Sequence, residues 1–321
     1  MTQAQLVTAA TGAALHAHQL YEIDRTKRVE VFDVLRKAAG EVFFRPLKKI
    51  CGAYLPLRGC TPGVLINSNL PLSRQRYTAA HEFGHLFLKH SAVSVDELTG
   101  VTFEERRNWS DEENIAETFA AFFLMPQALV AGSLRELNIT SLNPETAYLL
   151  SLKMGTSYRA TVNHLQTLGR LSGPQAAQFR NIPPKQIKGG ISEHVAARHD
   201  VWVLDEHWNG QQVFPAVQDT IVLHLREVPT SGYTWMWHQN PEMLSMVEDT
   251  FADEGTSAVG GERVRELVLK VASGDHTDKL DLERRQPWDA DGAPSAQFTV
   301  DLVPQEVRQS GPLVLPTLLS N

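Results

Sequence analysis

Thr78-Ala79-Ala80-His81-Glu82-Phe83-Gly84-His85-Leu86-Phe87-Leu88 places two histidines four residues apart, with a glutamate directly after the first. Tyr77, Ala80, Phe83 or Gly84, Leu86 and Phe87 recur at helical spacing, and Ser73 after Pro71 is the expected N-cap. On a helix, positions four apart lie roughly 40° from eclipsed, so both imidazoles can reach one tetrahedral Zn2+. Glu82 projects to one side of the pair, where its carboxylate can meet a water at the metal instead of the metal itself. Zinc brings the pKa of such a water towards about 7, and the carboxylate takes the proton as the oxygen attacks a carbonyl. The pattern implies peptide-bond hydrolysis. The competing reading, two core histidines without a metal, is costly unless each finds a polar partner.

A catalytic zinc takes three protein ligands and keeps one position open. The arrangement that adds a third histidine on the same segment needs a glycine at position 88 and a histidine at position 91; the chain has Leu88 and Ser91. His90 is one residue out of register and reads as a cation at a helix C-terminus. The third ligand is therefore expected from a second helix, Ser110 to Pro126. There Ser110 and Glu113 form an S-x-x-E capping box, and Ala116, Phe119, Ala120 and Phe123 supply the buried face. Glu113 and Glu117 share one side of it.

Arg74-Gln75-Arg76-Tyr77-Thr78-Ala79-Ala80-His81-Glu82-Phe83-Gly84-His85 followed by Phe119-Ala120-Ala121-Phe122-Phe123-Leu124-Met125-Pro126 resembles the ImmA/IrrE family of metallopeptidases over about residues 25–172. The resemblance implies that His81, His85 and Glu113 hold the metal and that Glu82 is the general base. Glu117 stands where the family has asparagine and Ile115 where it has a second glutamate. Glu117 is expected to support a zinc-bound histidine through a hydrogen bond, with a ligand role as the alternative. The resemblance also implies a specific protein substrate, often a helix-turn-helix repressor.

A net charge of −7 over 321 residues gives no electrostatic footprint for nucleic acid. Met1 to Leu20 lacks the basic start and long apolar run of a signal peptide, and no stretch of 18 apolar residues is evident, so a soluble cytoplasmic protein with no membrane partner is expected. Cys51 and Cys60 read as free buried thiols. Arg28 to Gly40 reads as a helix, and Cys51–Leu57 with Gly63–Asn67 as a hairpin around Arg58–Pro62. Val64–Ile66 is either a sheet edge beside the metal, open to an extended peptide, or a core strand. Residues Ala92 to Asn108 read as a connecting loop. Helices are expected at Gln127–Leu137, Pro144–Lys153 and Ser157–Leu168. The last two resemble a helix-turn-helix with Gly155 at the turn, but only Arg159 and His164 offer themselves as readers, which favours a scaffold role. The sequence does not identify an oxyanion stabiliser; Tyr148, Tyr158 and His164 are the candidates.

Residues Ser172 to Gly190 have linker composition, and beyond them the periodicity becomes two-residue: Ile221, Leu223 and Leu225, then Phe298, Val300 and Leu302. Three turn motifs follow in order. Pro229-Thr230-Ser231-Gly232-Tyr233-Thr234-Trp235, Gly260-Gly261 and Arg285-Gln286-Pro287-Trp288-Asp289 are similar to the three loops of the chagasin family of cysteine-peptidase inhibitors, over residues 205–305. Val228 replaces the family's leading asparagine, and Gln286 interrupts its arginine–proline pair. The resemblance implies an immunoglobulin-like sandwich whose loops bind a protein, a papain-like peptidase or another partner, through Thr230, Ser231, Gly232, Tyr233, Gly260, Gly261, Pro287 and Trp288.

The sequence thus predicts an α+β chain. A mainly helical zincin-like metallopeptidase domain with a small sheet (1–172) is followed by a linker (173–200), an all-β immunoglobulin-like sandwich (201–305) and a tail (306–321). Its cofactor would be Zn2+. The rival reading is a binding or inhibitor protein with a structural or vestigial zinc site.

Overall fold

Residues 2–39, 41–55, 62–90, 94–97, 110–193, 198–251, 261–289, 292–305 and 311–312 are described by a computed structural model. The chain divides into two compact units, one of residues 1–133, 154–177 and 307–321, the other of 134–153 and 178–306. The first is helical with a small sheet, and the second is dominated by β-structure.

In the first unit, Thr2 and Gln5 form a reciprocal capping box that starts α1 (Gln3–Leu20). The helix α2 (Val31–Ala38) is shorter than expected at its start, and Gly40 lies outside the described residues. The reason is local: the Val29 carbonyl and the Glu30 carboxylate both accept hydrogen bonds from the buried Arg76, which holds this stretch outside the helix. Strands β1 (Glu41–Arg45), β2 (Ile50–Leu55) and β3 (Gly63–Asn67) lead into α3 (Leu72–Phe87), which carries the two histidines. The expected loop 92–108 contains β4 (Ser94–Glu97), and its other members lie outside the described residues.

Within the sheet, a two-residue strand at Gly311–Pro312, inside the expected tail, pairs with β1, β1 pairs in parallel with β3, and β3 and β4 flank β2 antiparallel. Val64–Ile66 is therefore an interior strand and not an edge; β4 takes the edge position on that side. Val64 and Ile66 are fully buried, which explains the preference. Cys51 is buried, its sulfur 3.5 Å from an Arg74 guanidinium nitrogen, and Cys60 lies outside the described residues.

The second metal-side helix is α4 (Asp111–Leu124), followed by α5 (Gln127–Glu136), α6 (Pro144–Met154), α7 (Tyr158–Thr167), α8 (Gly173–Arg180) and α9 (Pro184–Ile191). Asp111–Glu136 holds no run of 18 apolar residues but is long and apolar enough, by length and mean hydropathy alone, to cross a membrane; 56% of its apolar window is buried in the fold. Its apolarity serves a core. Phe83 of α3 packs on Phe119 and Phe123 of α4 at centroid separations of 5.6 and 5.1 Å, and small Ala10, Ala14 and Ala17 line the buried side of α1.

The two candidate base readers of α7 differ in burial. Arg159 is exposed, but His164 is buried, with Nε2 2.8 Å from the Met125 carbonyl oxygen. Burial pushes its pKa down to about 4, against the opposing pull of that hydrogen bond. The folded value lies below the ordinary value of about 6.5, so this residue's stabilising contribution is complete above about pH 6.5 and is lost as pH falls towards 4. Melting temperatures should fall across that window. His164→Gln, which keeps an N–H donor but does not titrate, should show a shallower fall; identical slopes would contradict the assignment.

The linker expectation is corrected by α8 and α9. Ser172 and Gln175 cap α8 reciprocally, and Pro183 and Pro184 open α9, so the Ser, Gln and Pro content signals helix starts. The helix α6 groups with the β-rich unit: Tyr148 donates to Asp200 at 2.9 Å and accepts from the Val201 N–H, and Lys153 donates to Gln211.

The strands of that unit are β5 (Val201–Leu204), β6 (Gln211–Val213), β7 (Thr220–Glu227), β8 (Thr234–Gln239), β9 (Leu244–Phe251), β10 (Arg263–Val271), β11 (Asp278–Arg285) and β12 (Ala296–Leu302). They form two four-stranded sheets, β5-β7-β10-β9 and β6-β12-β11-β8. The alternating residues Phe298, Val300 and Leu302 are buried, as are Ile221, Leu223 and Leu225. The sandwich is mostly antiparallel; β5–β7 and β6–β12 are parallel.

Candidate metal centre

The helix α3 begins at Leu72 with Pro71 as N-cap and no side-chain cap bond, so Ser73 lies inside the helix and is not its cap. Close packing against α4 sets the centre. A Cβ on Gly84 would lie 3.0 Å from Phe119 Cδ1 and 3.3 Å from Ala116 Cα, so any other residue between Phe83 and His85 would press α4 away by a few tenths of an ångström. On the facing helix, Ser110 Oγ accepts from the Glu113 N–H, making Ser110 the N-cap. The Glu113 carboxylate itself lies at the histidines.

His81, His85 and Glu113 form a group whose donor atoms could hold a metal ion. His81 Nε2 and His85 Nε2 are 3.2 Å apart, and Glu113 Oε2 lies 3.2 Å from the first and 3.5 Å from the second. A tetrahedron with metal–ligand bonds of about 2.0–2.1 Å has edges of about 3.3–3.4 Å, so this triangle fits three vertices around one zinc-sized ion. Two imidazoles and one carboxylate are also a zinc donor set that leaves a fourth position for water or substrate.

Glu82 is completely buried, and Gly52 of β2 faces it: a Cβ there would lie 3.2 Å from Glu82 Oε1 and would overlap Thr78. Glycine at 52 thus keeps the strand close to the carboxylate. Glu117 Oε2 is 3.6 Å from His81 Nδ1, an ion-pair contact on the side of the ring away from Nε2. Tyr54 stacks on His85 with ring planes 13° apart.

His90, expected as a helix-end cation, instead has Nδ1 2.8 Å from His85 Nδ1. Its pKa is lowered, first by burial and then by the neighbouring His85. Sequence spacing alone did not reveal this contact. Of the groups read as oxyanion stabilisers, His164 is bonded to the Met125 carbonyl, and Tyr148 to Asp200 and Val201.

In the sandwich, Pro229–Ser231 form a single 3-10 turn, and Gly232 has φ +75°. The Trp288 ring lies against Gly232 where a side chain would stand, so the first and third expected loops touch. Trp288 is 73% exposed; Thr230, Ser231 and Pro287 are exposed too, and Tyr233 is half-buried. Trp235 is buried, donating Nε1–H to the Arg226 carbonyl. Gly261 precedes β10, while Gly260 lies outside the described residues.

The first unit thus holds a His-His-Glu cluster, and the second two four-stranded β-sheets. Residues 37–151 match the IrrE N-terminal-like domain, a peptidase family, and residues 215–302 match the Chagasin family peptidase inhibitor. The chain therefore carries an IrrE-like domain followed by a chagasin-like one. A cysteine protease inhibitor from Entamoeba histolytica is similar at 22% identity, covering 33% of this chain and 97% of that one, with a TM-score of 0.29. Amebosin is similar at 23% identity, covering 33% and 98%, with a TM-score of 0.29. No curated protein matches the chain.

Proposed function

We propose that this chain is a zinc-dependent endopeptidase that cleaves a specific cytoplasmic protein, with the sandwich as its protein-docking module. The observation that carries the reading is the triangle of His81 Nε2, His85 Nε2 and Glu113 Oε2, with edges of 3.2, 3.2 and 3.5 Å. A bound zinc would acidify a water and polarise the scissile carbonyl. Glu82 accepts the proton of the attacking water and returns it to the departing amine as the C–N bond breaks. Its burial suits this role, because a carboxylate away from bulk water is a stronger acceptor. The match to the IrrE N-terminal-like family supports peptide hydrolysis, and the ImmA/IrrE resemblance supports a helix-turn-helix repressor as the substrate class. With added zinc, the full chain should cleave such a repressor, a chelator should stop cleavage, and zinc should restore it. Cleavage unaffected by chelator and by zinc would contradict the reading.

Docking at the loop tip is supported by Trp288, 73% exposed beside Gly232, and by the chagasin-family match. Exposed aromatic anchors carry large shares of binding energy. Trp288→Ala with Tyr233→Ala in the full chain should slow cleavage of the protein substrate at least about 10-fold, as expected for removing an anchor worth about 1.4 kcal/mol or more, and leave cleavage of a short unstructured peptide unchanged. Equal loss on both substrates would contradict docking. The same family match favours a second reading, inhibition of a papain-like peptidase, which tight inhibition by the full chain, lost in the double variant, would establish.

A further inference from the structure

We infer that His90 is a positioning residue for the metal centre: it accepts the Nδ1–H of His85 and thereby leaves the Nε2 lone pair of His85 directed at the ion. The inference rests on the metal reading above. An imidazole that ligates through Nε2 carries its proton on Nδ1, and the partner at Nδ1 must then be an acceptor. The atom facing His85 Nδ1 is His90 Nδ1, at 2.8 Å. A neutral His90 with its own proton on Nε2 offers a lone pair there.

The backbone builds this contact. At the end of α3, Lys89 takes the left-handed conformation, φ +56°, its N–H bonds to the Leu86 carbonyl, and the His90 N–H returns to the His85 carbonyl. That double bond pattern is a Schellman motif, and it folds the chain back so that a residue five positions on faces His85. A regular helix would have carried residue 90 to another face. The two rings meet edge to face, with centroids 4.9 Å apart and planes at 73°. Tyr54 stacks near the same imidazole with planes 13° apart, so His85 has one neighbour for its plane and another for its proton. His81 has a different supporter, the Glu117 carboxylate 3.6 Å from its Nδ1.

The test is a zinc titration of the full chain against a competing chelator, for the wild type, His90→Ala and His90→Asn, together with 15N imidazole shifts of the metal-free proteins. His90→Ala should bind zinc about 10–100-fold more weakly, the usual cost of removing a residue that orients a ligand, and His90→Asn, which keeps an acceptor oxygen, should recover most of the loss. His85 should carry its proton on Nδ1 in the wild type and lose that preference in His90→Ala. A purely structural role for His90 would not move that tautomer signal. Wild-type zinc affinity in His90→Ala, or an Nε2-protonated His85 in the wild type, would overturn the inference and leave the metal reading standing. A wild type that binds no zinc would overturn both.

Discussion

Glu82→Gln should lower peptide hydrolysis by at least about 10²-fold while the folded protein still takes up one zinc ion, as expected when a general base is removed and the ligands are kept. Glutamine has the same shape, so the space against Gly52 and Thr78 stays filled. It cannot accept a proton as the carboxylate does. Glu82 is outside the group of donor atoms formed by His81, His85 and Glu113, so its loss should not empty the centre. Zinc content is read by mass spectrometry of the native protein, and rate by cleavage of the protein substrate. A folded Glu82→Gln protein without zinc would make Glu82 a ligand. One with zinc and near wild-type rates would remove it from the chemistry.

The second large effect separates the two glutamates of α4. Glu113→Ala should abolish zinc uptake at concentrations where the wild type is saturated, because one of three protein donors is gone. Glu117→Ala should weaken affinity by about 10–100-fold at most. The ordering follows from distance: Glu113 Oε2 stands 3.2 and 3.5 Å from the two Nε2 atoms, whereas Glu117 Oε2 faces Nδ1 of His81 at 3.6 Å, on the other side of the ring. Parallel zinc titrations of the two variants measure it. The reverse order would move the ligand role to Glu117.

Much of the centre was legible because its geometry is local. Four-residue spacing on α3 fixes the histidine pair, and Ser110 fixes where α4 begins and hence the turn on which Glu113 falls. His90 was not legible: its contact depends on a left-handed Lys89, a conformation more often marked by glycine, so no residue type announced the turn. The order of the sheet was likewise hidden. Val64–Ile66 became interior only through pairing with β1 on one side and β2 on the other, and pairing between distant segments leaves little trace in either one. Residues 173–191 misled for the opposite reason, since proline and serine serve helix starts as well as linkers. In the sandwich, alternation revealed the buried face of β12, whereas in β7 Thr220 and Val222 are buried along with Ile221 and Leu223, and the contact of Trp288 with Gly232 required the fold. The grouping of α6 with the sandwich rests on Tyr148 and Lys153, whose partners lie 52 and 58 residues away.

The central claim is that His81, His85 and Glu113 hold one catalytic zinc. Anomalous diffraction at the zinc edge, from crystals of the full chain grown with zinc, tests it most directly. The account predicts a single strong peak about 2.0–2.2 Å from Nε2 of His81, Nε2 of His85 and a carboxylate oxygen of Glu113, with a fourth position open to solvent. No peak among these three side chains in zinc-saturated crystals, or a zinc enclosed by four protein ligands, would contradict it.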